Sequence, residues 1–229
     1  MKKIIVLSLF VLINGLINPV FSLGGIGLYG LSDAITVGAG TDGTFPVQLK
    51  RDGFDGAIGG GLFLYVDAIP FIDLEANVEM AFNEYSFQFK NVLSDLPPVD
   101  FGWARISTYL TVRRKLFGLS IPVLGGIKFH AGGGYNMHSS TPLADLDMVK
   151  TLLGGDLTTS FEDSDLESEL IDFLKDNKID ANGFHFQVGT QFKLLALNLF
   201  LNYRVTMAED VVPGEKSFSS LWLGLAFGI

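Results

Sequence analysis

Ten ionisable side chains are spaced so that each local group shares one side of an extended segment. They are Asp73, Glu75 and Glu79; Arg105 and Arg113; Lys128 and His130; His185 and Lys193; and Arg204. Within each group the separation is even. In a strand, even spacing puts side chains on one face. Acids and bases distributed over several strands in this way suit mutual neutralisation in a closed interior, because a buried charge needs a partner. The same set could form a polar path or a proton-sensitive gate, with His130 and His185 as sensors.

Other chemistry is less well supported by spacing. His138 precedes Ser139 and Ser140, a base next to two hydroxyls, as a lipid acylhydrolase would need. Neighbours in a strand point to opposite faces, which separates His138 from Ser139. Gly25-Ile26-Gly27-Leu28-Tyr29-Gly30 fits G-x-G-x-x-G, but a dinucleotide site needs a strand before it and a helix after it. A glycine-rich first strand accounts for it better. The chain has no Cys, which removes thiol chemistry and disulfides. No catalytic residue, metal ligand or cofactor is assigned.

The elements that must position the ionisable residues are strands. The clearest spans residues 71–87, where Ile72, Leu74, Ala76, Val78, Met80 and Phe82 alternate with Asp73, Glu75, Asn77, Glu79 and Asn83. Seven further segments alternate, near residues 24–31, 55–67, 103–115, 123–138, 184–194, 197–207 and 217–229. Links at 68–70, 116–122 and 195–196 are short. Those at 32–54, 88–102, 139–183 and 208–217 are long. Strict alternation of short and long links predicts an all-β, eight-stranded, antiparallel up-and-down transmembrane β-barrel. A lipocalin-like soluble barrel alternates too, with its apolar face inward. Two features favour the membrane: charge is absent from the apolar face at membrane height, and the polar face holds Gly126, Gly132, Gly134, Gly189 and Gly224.

Composition agrees. Of the 229 residues 48% are hydrophobic and only 18% charged, which excludes a disordered chain. The net charge of −9 opposes nucleic-acid binding. Residues 1–22 read as a secretory signal peptide: Lys2 and Lys3, an apolar core, Pro19, and a cut after Ser22. The barrel domain is then 23–229. Its long loop, 139–183, carries eleven acids against Lys150, Lys175 and Lys178. Thr141-Pro142 is expected to open one short helix running to about Leu153. Ser164 with Glu167 is expected to form a capping box for a second. This loop is an acidic extracellular cap, or a weak divalent-cation trap.

The last strand resembles those of the small eight-stranded outer-membrane barrels, the OmpA/OmpX/OmpW-like group. Gly224, Phe227 and Ile229 look like the carboxy-terminal signal read by the outer-membrane assembly machinery, although that signal usually ends in Phe or Trp. The resemblance implies a bacterial outer membrane, with its lipids and that machinery as partners. The expected protein is a monomer and non-enzymatic, its lumen plugged by side chains, with a structural or surface-interaction role. The alternatives are a conduit for small hydrophobic molecules, porin-like in placement, and a lipid-modifying enzyme.

Overall fold

The computed structural model describes residues 23–67, 69, 71–92, 95, 97–121, 125–157 and 166–228. The expected leader 1–22, Ser164 of the capping box, and Ile229 lie outside the described residues. Among the described residues ten strands are formed: β1 (Gly24–Val37), β2 (Gly40–Thr44), β3 (Val47–Arg51), β4 (Phe54–Val66), β5 (Asp73–Lys90), β6 (Val99–Ile121), β7 (Gly125–Ser140), β8 (Ile179–Leu194), β9 (Leu197–Met207) and β10 (Ser217–Gly228). Between β7 and β8 stand helices α1 (Leu146–Leu152) and α2 (Leu166–Asp176). Among the described residues no helix is long and apolar enough to cross a membrane.

Eight strands close an antiparallel ring, β1-β4-β5-β6-β7-β8-β9-β10, and β10 pairs back onto β1 from Gly25↔Gly228 to Ala34↔Ser219. Closure gives each ring strand a hydrogen-bonded neighbour on both sides over the shared ladders. The other two strands form a hairpin, β2–β3, that adds to the long-loop end of β5 from Arg51↔Phe87 to Gln48↔Lys90.

Several expected boundaries are corrected. β1 runs to Val37 rather than 31, because Leu31, Asp33, Ile35 and Val37 keep the inward side despite one acid among them. The link 32–54 is not irregular but holds β2 and β3. β6 extends at both ends beyond 103–115. The chain between β7 and β8 is shorter than 139–183, since the two strands pair up to Ser140↔Ile179. Helix α1 starts later than predicted: Asp145 is its N-cap, with Met148 N–H donating to Asp145 Oδ1 at 2.8 Å. Thr141 ties the chain to β6 instead, its Oγ1 accepting from Ala104 N–H at 3.0 Å.

Polarity reverses along single strands. In the lower part of β5, Asp73, Glu75, Asn77 and Glu79 face inward and are buried, while Leu74, Val78, Met80 and Phe82 are exposed outward. Three residues higher the same strand buries Tyr85, Phe87 and Phe89 and turns Glu84 and Lys90 to the outside. β6 repeats the pattern. Arg105 and Arg113 are inside with Ile106, Leu110 and Val112 outside, then Phe101 and Trp103 are inside with Asp100 outside. The upper core gathers Leu49 of β3, Met148 and Val149 of α1, Phe173 of α2, and Val211 and Val212 of the β9–β10 loop. That end is built like a water-soluble domain; the rest is built inside out.

Candidate functional site

The lumen at the height of the exposed apolar belt holds five carboxylates, Asp33, Asp67, Asp73, Glu75 and Glu79, and five bases, Arg105, Arg113, Lys128, Lys193 and Arg204. They form two tiers. In the lower tier Arg113 Nη1 lies 2.8 Å from Glu75 Oε2, and its Nη2 lies 3.2 Å from Asp67 Oδ1. Lys128 pairs with Asp73 and, at 3.3 Å, with Asp67 Oδ2. Lys128 therefore sits with Asp73 and Asp67 rather than with Glu79. The strand tilt that closes a barrel staggers residues of equal sequence height.

The upper tier centres on Glu79. Its Oε2 accepts from Arg204 Nη1 at 2.9 Å and from Tyr29 OH at 2.6 Å; its Oε1 accepts from Arg105 Nη2 at 2.8 Å. Arg105 also donates to Asp33 Oδ2 from Nε at 3.0 Å and Nη2 at 2.7 Å, and Ser220 Oγ donates to Asp33 Oδ1 at 2.6 Å. Arg204 stacks over Tyr109, 3.7 Å from the ring centroid. Gln187 joins the tiers, donating to Glu75 at 2.9 Å and accepting from Arg204 Nε at 3.4 Å. Lys193 points inward near the lower mouth but makes no ion pair among the described residues.

The histidines are held by neutral groups. His130 Nε2 meets Asn202 Oδ1 at 2.8 Å, and His185 Nε2 meets Thr111 Oγ1 at 2.9 Å. Tyr109 lies edge-on between His138 and His185, at 5.4 and 5.1 Å. His138 bonds not to Ser139 but across the ladder: Ser107 Oγ to His138 Nδ1 is 2.7 Å, and His138 Nε2 to Asn136 Oδ1 is 3.0 Å. This has the connectivity of a nucleophile, a base and an orienting group. All three side chains are buried, however, with Phe218 against His138 and Arg105 donating to Ser107. A substrate has no approach to that serine in this packing.

Aromatic rings fill the remaining section. Phe63 packs on Phe200, Trp222 and Tyr29 at centroid distances of 5.0, 5.4 and 5.9 Å, and Arg113 lies over Phe200 at 5.6 Å. Two glycines make this possible. A Cβ at Gly27 would run into Phe63 and Ala226, and one at Gly61 would sit 2.8 Å from the Tyr29 hydroxyl. Of G-x-G-x-x-G, all three glycines lie within β1, and no helix follows them. In the terminal strand Gly224 faces inward beside Trp222, and Phe227 faces outward.

The cap is pinned from three sides. Ala144 N–H donates to Tyr85 OH at 2.8 Å, Leu146 N–H to Asp42 Oδ2 at 3.0 Å, and Asn91 Nδ2 to Leu157 O at 2.8 Å. Burial pushes the Tyr85 hydroxyl up to about 12, so it stays protonated at any physiological pH. Among the described residues no group of three His, Asp or Glu side chains is placed to hold a metal.

Sequence reasoning missed Asp33, Asp67, Tyr29, Gln187 and Ser220. Asp33 and Ser220 are register partners across β1–β10, visible only once the ring is closed. Gln187 and Arg204 likewise face each other across β8–β9.

No family model matches the chain, and no curated protein matches it in sequence. Solved structures with a similar course include Ail, the attachment invasion locus protein of Yersinia pestis, in complex with the heparin analogue sucrose octasulfate. That match has 9% identity and a TM-score of 0.43, covering 90% of this chain and 97% of that one. The outer membrane protein OprG from Pseudomonas aeruginosa is similar at 11% identity and a TM-score of 0.44, covering 90% and 94%. The N-terminal β-barrel domain of Pseudomonas aeruginosa OprF is similar at 10% identity and a TM-score of 0.38, covering 90% and 99%.

Proposed function

We propose that the chain is a non-enzymatic bacterial outer-membrane barrel, closed along its axis by its own side chains, which acts structurally or by presenting its outer cap to a partner. The observation that carries this reading is the reversal of polarity within β5 and β6. A sheet that turns leucine, valine and phenylalanine outward over its lower part and buries carboxylates there is adapted to hydrocarbon outside. Where the same strands turn glutamate and lysine outward and bury aromatic rings, they are adapted to water outside.

The closed lumen follows from the charges. Five acids and five bases balance in formal charge, and the core of the network is shielded from solvent. An ion crossing this section must displace at least one pair and leave a buried charge unmatched. The long loops carry most of the acids, so the exposed end is anionic and the contact with a partner is made there.

Two measurements test the reading. Membranes run on a gel with and without boiling should show a folded, faster band that disappears on heating. Purified protein in a planar bilayer should give no stable single-channel steps; steps would replace the closed lumen by the conduit. Fatty-acid release from phospholipid vesicles that is lost in Ser107→Ala would overturn the non-enzymatic assignment.

A further inference from the structure

The short-turn end of the barrel is lopsided. The β5–β6 ladder ends at Asp73↔Arg113, but β6 stays paired with β7 down to Ile121↔Gly125. The register slips by one residue between Lys115 and Phe117. The lower β6–β7 hairpin therefore runs past the end of β5 and leaves one edge of β6 unpaired with it.

The side chains on this extension are unusual. Arg114 and Lys115 are exposed, and three large apolar residues follow: Leu116, Phe117 and Leu119, at 60, 61 and 77% exposure. Phe117 stacks on Phe129, centroids 4.4 Å apart. Phe71, in the adjoining β4–β5 turn, is 86% exposed with a φ of 73°. The nearby carboxylates, Asp67 and Asp73, are turned inward and engaged by Arg113 and Lys128. Arg114 has no ion pair among the described residues.

A water-exposed hairpin gains nothing from three bare apolar side chains, and a purely hydrocarbon-facing one gains nothing from the Arg114 cation. The combination fits a bilayer interface, where long cationic side chains reach phosphate while apolar neighbours enter the acyl boundary. A second copy does not fit the open edge. Barrels in one membrane are related by an axis along its normal, and strands tilted by roughly 35–45° would then cross at a wide angle rather than lie antiparallel.

We infer that this extension is a foot that binds anionic phospholipid headgroups in the leaflet at the short-turn end. The inference rests on the membrane reading above. Arg114, on the outward face with Phe117 and Leu119, supplies the charge complementarity; Phe117, Leu119 and Phe71 supply the anchor.

Because the chain has no cysteine, single cysteines can be labelled cleanly. The full barrel carrying Leu119→Cys or Leu74→Cys, each with an environment-sensitive fluorophore, is folded into vesicles. The vesicles contain phosphatidylcholine alone or mixed with phosphatidylglycerol, and a neutral water-soluble quencher is added. With phosphatidylglycerol the Leu119 probe is expected to be shielded. Arg114→Gln should raise quenching about fivefold, at roughly 1 kcal/mol per charge near an anionic surface. Omission of phosphatidylglycerol should abolish the shielding, and Arg114→Lys should keep it. A Leu119 probe open to quencher while the Leu74 probe is shielded overturns the foot and leaves the membrane reading standing; that outcome would point to a polypeptide partner for the open edge. Both probes open to quencher overturns the membrane reading itself. Equal shielding in both lipid mixtures overturns headgroup recognition.

Discussion

The lumen and the outer cap are continuous on the same strands, yet they are stabilised by opposite means. In the lumen, Glu79 is held by Arg105, Arg204 and Tyr29. A few residues higher on β5, Phe89 is held by apolar contact in the core that α1, α2 and β3 complete. The contrast teaches that the orientation of a strand's apolar face is set by the solvent outside it, not by the strand. Burial of apolar surface against water drives the cap together. In the belt that drive is absent, since lipid is as apolar as any core, and the interior is specified by pairing of charges.

The largest effect should come from breaking the lumen. Glu79→Leu leaves Arg204 without an ion pair and Arg105 with Asp33 alone, and should cost about 3–5 kcal/mol in urea unfolding of the folded barrel. Adding Arg204→Leu should return part of that, because the uncompensated charge is gone. If Glu79→Leu unfolds within about 1 kcal/mol of the parent, charge pairing does not hold the lumen and the contrast fails.

In the cap, Phe89→Ala should cost about 3 kcal/mol, the usual penalty for emptying a buried aromatic site. Its signature should be local. Amide exchange in α1 and β3 should accelerate while the amides of β8 and β9 at lumen height keep their protection. Softening of both regions together would mean that they form one cooperative unit.

The outward faces offer a sharper comparison. Val78→Arg, on the exposed apolar belt, should cost about 2–4 kcal/mol in vesicles. Glu84→Arg, further along the same strand, should change stability by no more than about 0.5 kcal/mol. Equal costs would place the membrane boundary elsewhere.

How much of this could be read in the sequence follows the same division. At belt height the period of two holds without interruption, so β5, β9 and β10 were legible to within two or three residues. The ten residues read as one inward set, each placing an ionisable group opposite an apolar face, are all buried. Their pairing could not be read, since Asp33 meets Arg105 and Lys128 meets Asp73 across a staggered ring. The cap was hardest. Val47, Leu49 and Arg51 form a strand too short for periodicity to register, in a stretch broken by Gly43, Pro46 and Gly53. Tyr85 and Phe87 continue the inward side of β5 with apolar residues, the reverse of the pattern below them, and so read as its end.

The start of α1 illustrates why local signals misled there. Thr141-Pro142 has the form of a helix opening, but Thr141 is drawn to Ala104 because β6 continues upward beside it. The helix waits for Asp145, whose carboxylate receives Met148 N–H at 2.8 Å. Since α1 covers only Leu146–Leu152, it depends heavily on that cap. Asp145→Ala should cost about 1 kcal/mol, seen as roughly fivefold faster exchange of the α1 amides, and Asp145→Asn should restore most of the protection. Thr141→Ala should leave those amides unchanged, because its hydroxyl braces the β6–β7 rim rather than the helix. If Thr141→Ala frees α1 as much as Asp145→Ala does, then the tertiary tie to β6, and not the local cap, decides where this helix begins.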